Sequence, residues 1–115
     1  MIEEYSFGKI IIDGFLYSTD VEVFSGKPLK VLLWRRKTSH LIETEDIKEA
    51  FGKGFEAIII GTGEAGMARL AESAQEEIRK NNLRLVLQKT GEAIESFNKL
   101  VSQNRKIIGF FHLTC

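Results

Sequence analysis

Gly61, Gly63 and Gly66 lie in the stretch 55–66, FEAIIIGTGEAG, and satisfy the spacing G-x-G-x-x-G directly after an apolar run. With the helix-like pattern that follows, this reads as a strand, a tight turn and a helix N-terminus. Such a turn offers backbone N–H groups and the positive end of a helix dipole to an anion. The candidate ligand-binding residues are therefore Gly61, Thr62, Gly63 and Glu64, with Thr90, which follows the next strand in the same way. A dinucleotide site also needs an acid about 20 residues past the glycines to hold a ribose hydroxyl. Gln88 and Lys89 stand there instead, and Glu64 places a negative charge in the mouth of the turn. Turn geometry accounts for the glycines better than NAD or FAD binding does, and no cofactor is expected.

If the last strand runs parallel to the two before it, His112 and Cys115 reach the same sheet edge as both helix N-termini. An imidazole beside a helix N-terminus can lower a thiol pKa, so the two are the candidate reactive pair. The competing reading makes His112 a hydrogen-bonded core residue and Cys115 a loosely held last residue. Trp34-Arg35-Arg36-Lys37, followed by His40, is the one compact basic cluster. An aromatic beside arginines stacks on a ring while the cations hold phosphate, which makes Trp34, Arg35, Arg36 and His40 a possible partner or ligand surface. The 16 basic and 16 acidic residues cancel, and so short a cluster is too small for a nucleic-acid footprint. His40 and His112 have no metal-ligand spacing, Cys115 is the only cysteine, and no metal site is expected.

The elements that must position these residues divide the chain in two. Asp13-Gly14 between two β-rich runs predicts a two-residue hairpin, Val21 and Val23 alternate with Glu22, and 31–34 reads as another strand. Thr44 is placed to cap a short helix that stops at Gly52 or Gly54. Strands are then expected at 55–60, 83–87 and 107–113, with helices over about 64–80 and from Thr90 onward. Met67, Leu70, Ala71, Ala74 and Ile78 would line the first helix; Ala93, Ile94, Phe97, Leu100 and Val101 would line the second. The run IIGFFHL shows little polar alternation, which places the last strand inside the sheet. The 115 residues fit one α/β domain spanning 1–115. No apolar run approaches the ~20 residues that span a bilayer, and the acidic N-terminal stretch is unlike a secretory signal. A cytoplasmic protein without membrane insertion is expected.

The turn Ile60-Gly61-Thr62-Gly63, the stretch TGEAIESFNKL at 90–100 and the final IIGFFHLTC together resemble a family of small domains of unknown function. That family includes archaeal and bacterial stand-alone proteins, the mitochondrial respiratory complex I assembly factor 3 and an adipogenesis-associated protein of animals. The resemblance covers nearly the whole chain, and it implies a compact three-layer α/β domain: a central mixed sheet, helices packed on it and an N-terminal β-rich layer. Its pattern falls on Gly61, Thr62, Gly63, Thr90, Ala93, Asn98 and Leu100. Asn98 stands out, because a mid-helix amide suits either a bond to exposed backbone across the fold or a ligand contact. One family branch acts by protein contacts during assembly of a large complex. The leading expectation is accordingly a non-enzymatic protein-binding or assembly module with an exposed apolar patch that includes Trp34, its partner being an unknown protein or a second copy. The alternative is a small anionic-ligand-binding protein or enzyme centred on Gly61–Glu64 and Thr90.

Overall fold

A computed structural model describes residues 1–38 and 40–115. Its elements, in chain order, are β1 (Ile2–Ser6), β2 (Lys9–Ile12), β3 (Phe15–Tyr17), β4 (Val21–Phe24), β5 (Lys30–Leu33), β6 (Leu41–Ile42), a 3₁₀ helix (Thr44–Ala50), β7 (Ala57–Thr62), β8 (Arg69–Leu70), α1 (Glu72–Lys80), β9 (Arg84–Gln88), α2 (Thr90–Ser102) and β10 (Ile107–His112). β1, β2 and β3 form an antiparallel sheet in that order. Asp13 and Gly14, between β2 and β3, have φ of 49° and 84°, the left-handed pair that matches the twist of a tight hairpin.

The central sheet has the order β5-β4-β10-β7-β9. β10 runs parallel to β7 and antiparallel to β4, and β9 is parallel to β7. Every residue of β7 and β10 is buried, as befits strands covered on both faces. On one face, Val21, Val23, Ile59 and Phe111 meet Ile10 and Ile12 of the N-terminal sheet and Ala93 and Phe97 of α2. On the other, Ile58, Ile60, Ile108 and Phe110 meet Trp34, Ile47 of the 3₁₀ helix, Ile42 of β6 and Ala74 and Ile78 of α1. This is the expected three-layer α/β architecture around a central mixed sheet, with the N-terminal β-rich layer and α2 sharing one face and α1, the 3₁₀ helix and β6 covering the other.

Three local expectations are corrected. The helix expected over 64–80 starts only at Glu72. Gly63 and Gly66 take φ of 106° and 73°, and the chain then turns back so that the Ala68 N–H donates to Thr62 O and the Arg69 N–H to His40 O. Residues 69–70 thereby become a strand beside β6, and Met67 is left exposed. Thr44 is not a cap: Glu43 occupies that position, and its N–H donates to the Asp46 carboxylate in a capping box. Lys89, likewise, precedes α2 as its cap residue, and Thr90 is the first residue of the helix.

Gly109 makes room for the core. A Cβ there would lie 2.6 Å from Phe111 Cε2 and 2.9 Å from Phe97 Cδ2, inside the edge-to-face pair whose ring centroids are 5.6 Å apart. Gly109→Ala is expected to lower stability by about 1–3 kcal/mol. Urea unfolding of the purified variant measures this, and an unchanged midpoint would contradict the packing described.

Candidate functional site

Because β5, β7, β9 and β10 share a direction and β4 opposes them, one edge of the sheet collects four strand ends and the start of β4. Asp20, Trp34 to Arg36, the glycine turn, Thr90 and the stretch 112–115 all arrive there. The structure thus brings together most of the residues that the sequence nominates, and adds Asp20.

Asp20 is the centre of that edge. Arg36 Nη1 lies 2.8 Å from Asp20 Oδ2, His112 Nδ1 lies 2.7 Å from the same oxygen, and the Leu113 N–H donates to Oδ1 at 2.8 Å. Arg36 Nη2 is also 3.1 Å from His112 Nδ1. Only a proton on Nδ1 reconciles that nitrogen with the carboxylate, so His112 donates from Nδ1 to Asp20. Burial disfavours the Asp20 charge most strongly, yet the hydrogen bonds from His112 and Leu113 and the charges of His112 and Arg36 together hold its pKa below the ordinary carboxylate value. The Arg36 guanidinium rests 4.4 Å from the Trp34 ring centroid, and Trp34 Nε1–H donates to Asp46 O at 2.8 Å.

Trp34 is therefore core, 5% exposed, and the surface expected around it is corrected: Arg36 is turned inward beside it, while Arg35 and His40 remain exposed. An aspartate that orients an imidazole is half of a base–nucleophile device. Here the other nitrogen, Nε2, faces the Thr114 hydroxyl at 3.5 Å, and the His112 side chain is buried. The cluster clamps the start of β4, the segment after β5 and the end of β10. Cys115 has an exposed side chain and forms no hydrogen bond to His112 among the described residues; its carbonyl accepts from the Met67 N–H at 3.1 Å.

The glycine turn is closed on itself. The Gly63 N–H donates to Thr90 Oγ1, the Glu64 N–H to Thr114 O, the Gly66 N–H to Gly63 O and the Met67 N–H to Cys115 O. Thr90, fully buried, donates a hydrogen bond from its hydroxyl to His112 O, and Thr62 Oγ1 donates to Gln88 O at 3.1 Å. With no helix starting at the turn and these donors committed, the anion cradle expected of Gly61–Glu64 and Thr90 lacks its machinery. The glycines serve close approach: a Cβ on Gly61 would lie 2.8 Å from Thr90 Oγ1, and one on Gly63 would lie 2.6 Å from Cys115 O. Glu64 accepts from the Tyr5 hydroxyl at 2.9 Å; burial first, then that bond, pushes the Tyr5 pKa up. Asn98 takes the backbone option. Its Oδ1 accepts from the Ile2 N–H at 3.0 Å and its Nδ2 donates to Ile2 O at 2.8 Å, which fixes β1 to α2.

Fold and edge together define a small three-layer α/β domain whose carboxyl edge is locked by an ion-pair cluster and a closed glycine turn. The chain belongs to the family described as "Protein of unknown function (DUF498/DUF598)", whose model matches residues 2–112. Its structure is similar to that of the conserved hypothetical protein PH1505 from Pyrococcus horikoshii OT3, with 23% identity, a TM-score of 0.88 and coverage of 100% of this chain and 99% of that one. It is also similar to a protein designated MT938, at 25% identity and a TM-score of 0.79 over 100% and 98% of the two chains. A protein of Bordetella parapertussis shares the fold at 16% identity and a TM-score of 0.82, over 98% and 94%. No helix among the described residues is long and apolar enough to cross a membrane.

Asp20→Asn should leave the buried Arg36 guanidinium without its counter-charge and cost about 3 kcal/mol. The sign of the pH effect follows from the lowered pKa: the stabilisation is complete above the ordinary aspartate value and disappears as pH falls through the lower folded value. Thermal unfolding between pH 2 and 7 should therefore show an acid limb in the wild type that is shallower in the variant. Equal slopes would remove this role for Asp20.

Proposed function

We propose that the chain is a non-enzymatic protein-binding module that offers its N-terminal sheet, edge strand β3 first, to another polypeptide. One observation carries the reading. Among the described residues the four most exposed large apolar side chains are Phe15 at 68%, Leu16 at 60%, and Met1 and Phe7 at 59% each, and all lie within the first sixteen positions. Scattered exposed apolar residues are ordinary, but Phe15 and Leu16, on the two faces of β3, and Met1 and Phe7, flanking β1, concentrate apolar surface in and around one small sheet, and concentrated apolar surface is what contacts proteins.

The backbone supports the same reading. Among the described residues β3 pairs only with β2, so its outer N–H and C=O groups have no described strand beside them. An extended segment laid along β3 would take up those groups as an added strand and set its alternate side chains against Phe15 and Leu16. The best occupant is thus an extended apolar stretch of a protein, of which β3 itself, Phe15-Leu16-Tyr17, is one example.

A photo-crosslinking amino acid placed at position 16, in the cells that make the protein, tests this against the same label at Lys80 on the far layer. Discrete protein adducts from position 16 and none from position 80 are expected. No adduct at position 16, or the same adducts from both, would overturn the proposal.

A further inference from the structure

In sequence, Val21 and Val23 alternate with Glu22, a pattern that sets Glu22 on the opposite face of the strand, and all three are buried, Glu22 being only 9% exposed. Register explains it: Glu22 lies opposite Phe110 of β10 on one side and Leu32 of β5 on the other, on the face that Trp34 and the 3₁₀ helix cover. Its Oε1 is sealed from solvent and has no hydrogen-bond donor among the described residues. A buried carboxylate oxygen left in this state is costly and calls for an explanation. What remains exposed of Glu22 lines a pocket of about 460 Å³ walled by Leu33, the segment 35–37 and the 3₁₀ helix.

Most charged groups around the pocket already have partners. Arg36 is held by Asp20, Asp46 closes the capping box with the Glu43 N–H, Lys48 pairs with Glu45 at 3.0 Å, and Glu49 pairs with Lys53. Arg35 and Lys37, at the mouth, are exposed and form no ion pair among the described residues. The pocket therefore has an unsatisfied acid at its floor and two unengaged cations at its rim. A bare amine would be repelled by the rim, and a bare acid by the floor; a molecule with both charges meets each with its opposite.

We propose that this pocket binds a small zwitterion of the ω-amino acid type, its ammonium group against the Glu22 carboxylate, its aliphatic stem along Leu33 and its carboxylate between Arg35 and Lys37. The acid–base behaviour of Glu22 gives the proposal a signature. Burial, helped by the charge of Glu49 and opposed by Lys53 and Lys48, pushes its pKa up to about 7. Bound ammonium favours the ionised acid, so affinity rises as Glu22 loses its proton. The unliganded protein behaves in the opposite sense: a raised carboxyl pKa stabilises the fold most below the ordinary range, and that advantage fades as pH rises through 7.

Calorimetric titration with 5-aminovalerate, and with pentylamine and valerate as single-charge controls, tests the site. At pH 8 the zwitterion should bind at least about tenfold more tightly than either control. Between pH 8 and 6 its affinity should fall by about tenfold, while neither of its own charged groups titrates in that interval. Glu22→Gln should weaken binding by at least about tenfold and raise the unfolding temperature at pH 8, showing that the variant is folded. Replacing both Arg35 and Lys37 by Ser should abolish the preference over pentylamine. No saturable binding by the wild type, or equal binding by wild type and Glu22→Gln, would overturn the proposal.

Discussion

A carboxylate removed from water keeps its charge only if the fold returns the hydrogen bonds and the counter-charge that water supplied. Asp20 receives them from the guanidinium of Arg36, the ring of His112 and the backbone of Leu113, which belong to segments far apart in sequence. Satisfying this one group fixes where β4 starts, where the chain goes after β5 and where β10 ends. The constraint propagates outward. Arg36 lies on Trp34, and the Trp34 indole holds the carbonyl of Asp46 in the 3₁₀ helix. That helix in turn roofs the sheet face on which Glu22 lies.

Two acids two positions apart thus meet opposite fates. Asp20 stands at the sheet edge with donors on both oxygens, and its pKa is lowered; Glu22 stands one register step inside, under a roof that brings it no donor, and its pKa is raised. Residue type is almost the same in the two cases. The difference is that a strand end can be reached by loops and side chains from several directions, whereas a central position sees only the side chains across the sheet and the layer above.

Much of the fold was legible in the sequence because it rests on local rules. The Asp13-Gly14 turn declares its left-handed backbone, and the unbroken apolar runs of β7 and β10 declare strands covered on both faces. The glycine stretch misled in one respect. Its spacing suits a strand-turn-helix, but Gly63 and Gly66 serve close approach and a reversal, with β8 inserted before α1. Asn98 was legible as a residue with a special contact, to backbone across the fold or to a ligand, because a mid-helix amide has no local purpose. Trp34 looked like surface because basic residues follow it; nothing local says that one of those cations turns inward to meet Asp20. Glu22 was hidden by strand alternation, which assigns faces but cannot tell which face a later element will cover.

β10 is the last strand in the chain and the middle strand of the sheet, flanked by β4 from the first half and β7 from the second. The order of synthesis has a consequence. Until β10 emerges, β4 and β7 each present an unpaired edge, and neither hydrophobic face of the sheet is continuous. The N-terminal half cannot finish folding as the ribosome releases it, since its closing strand is still being made. Completing the central sheet therefore waits on a long-range closure by β10. The clamp on Asp20, whose partners His112 and Leu113 come at the end of that strand, acts as the latch that closes afterwards.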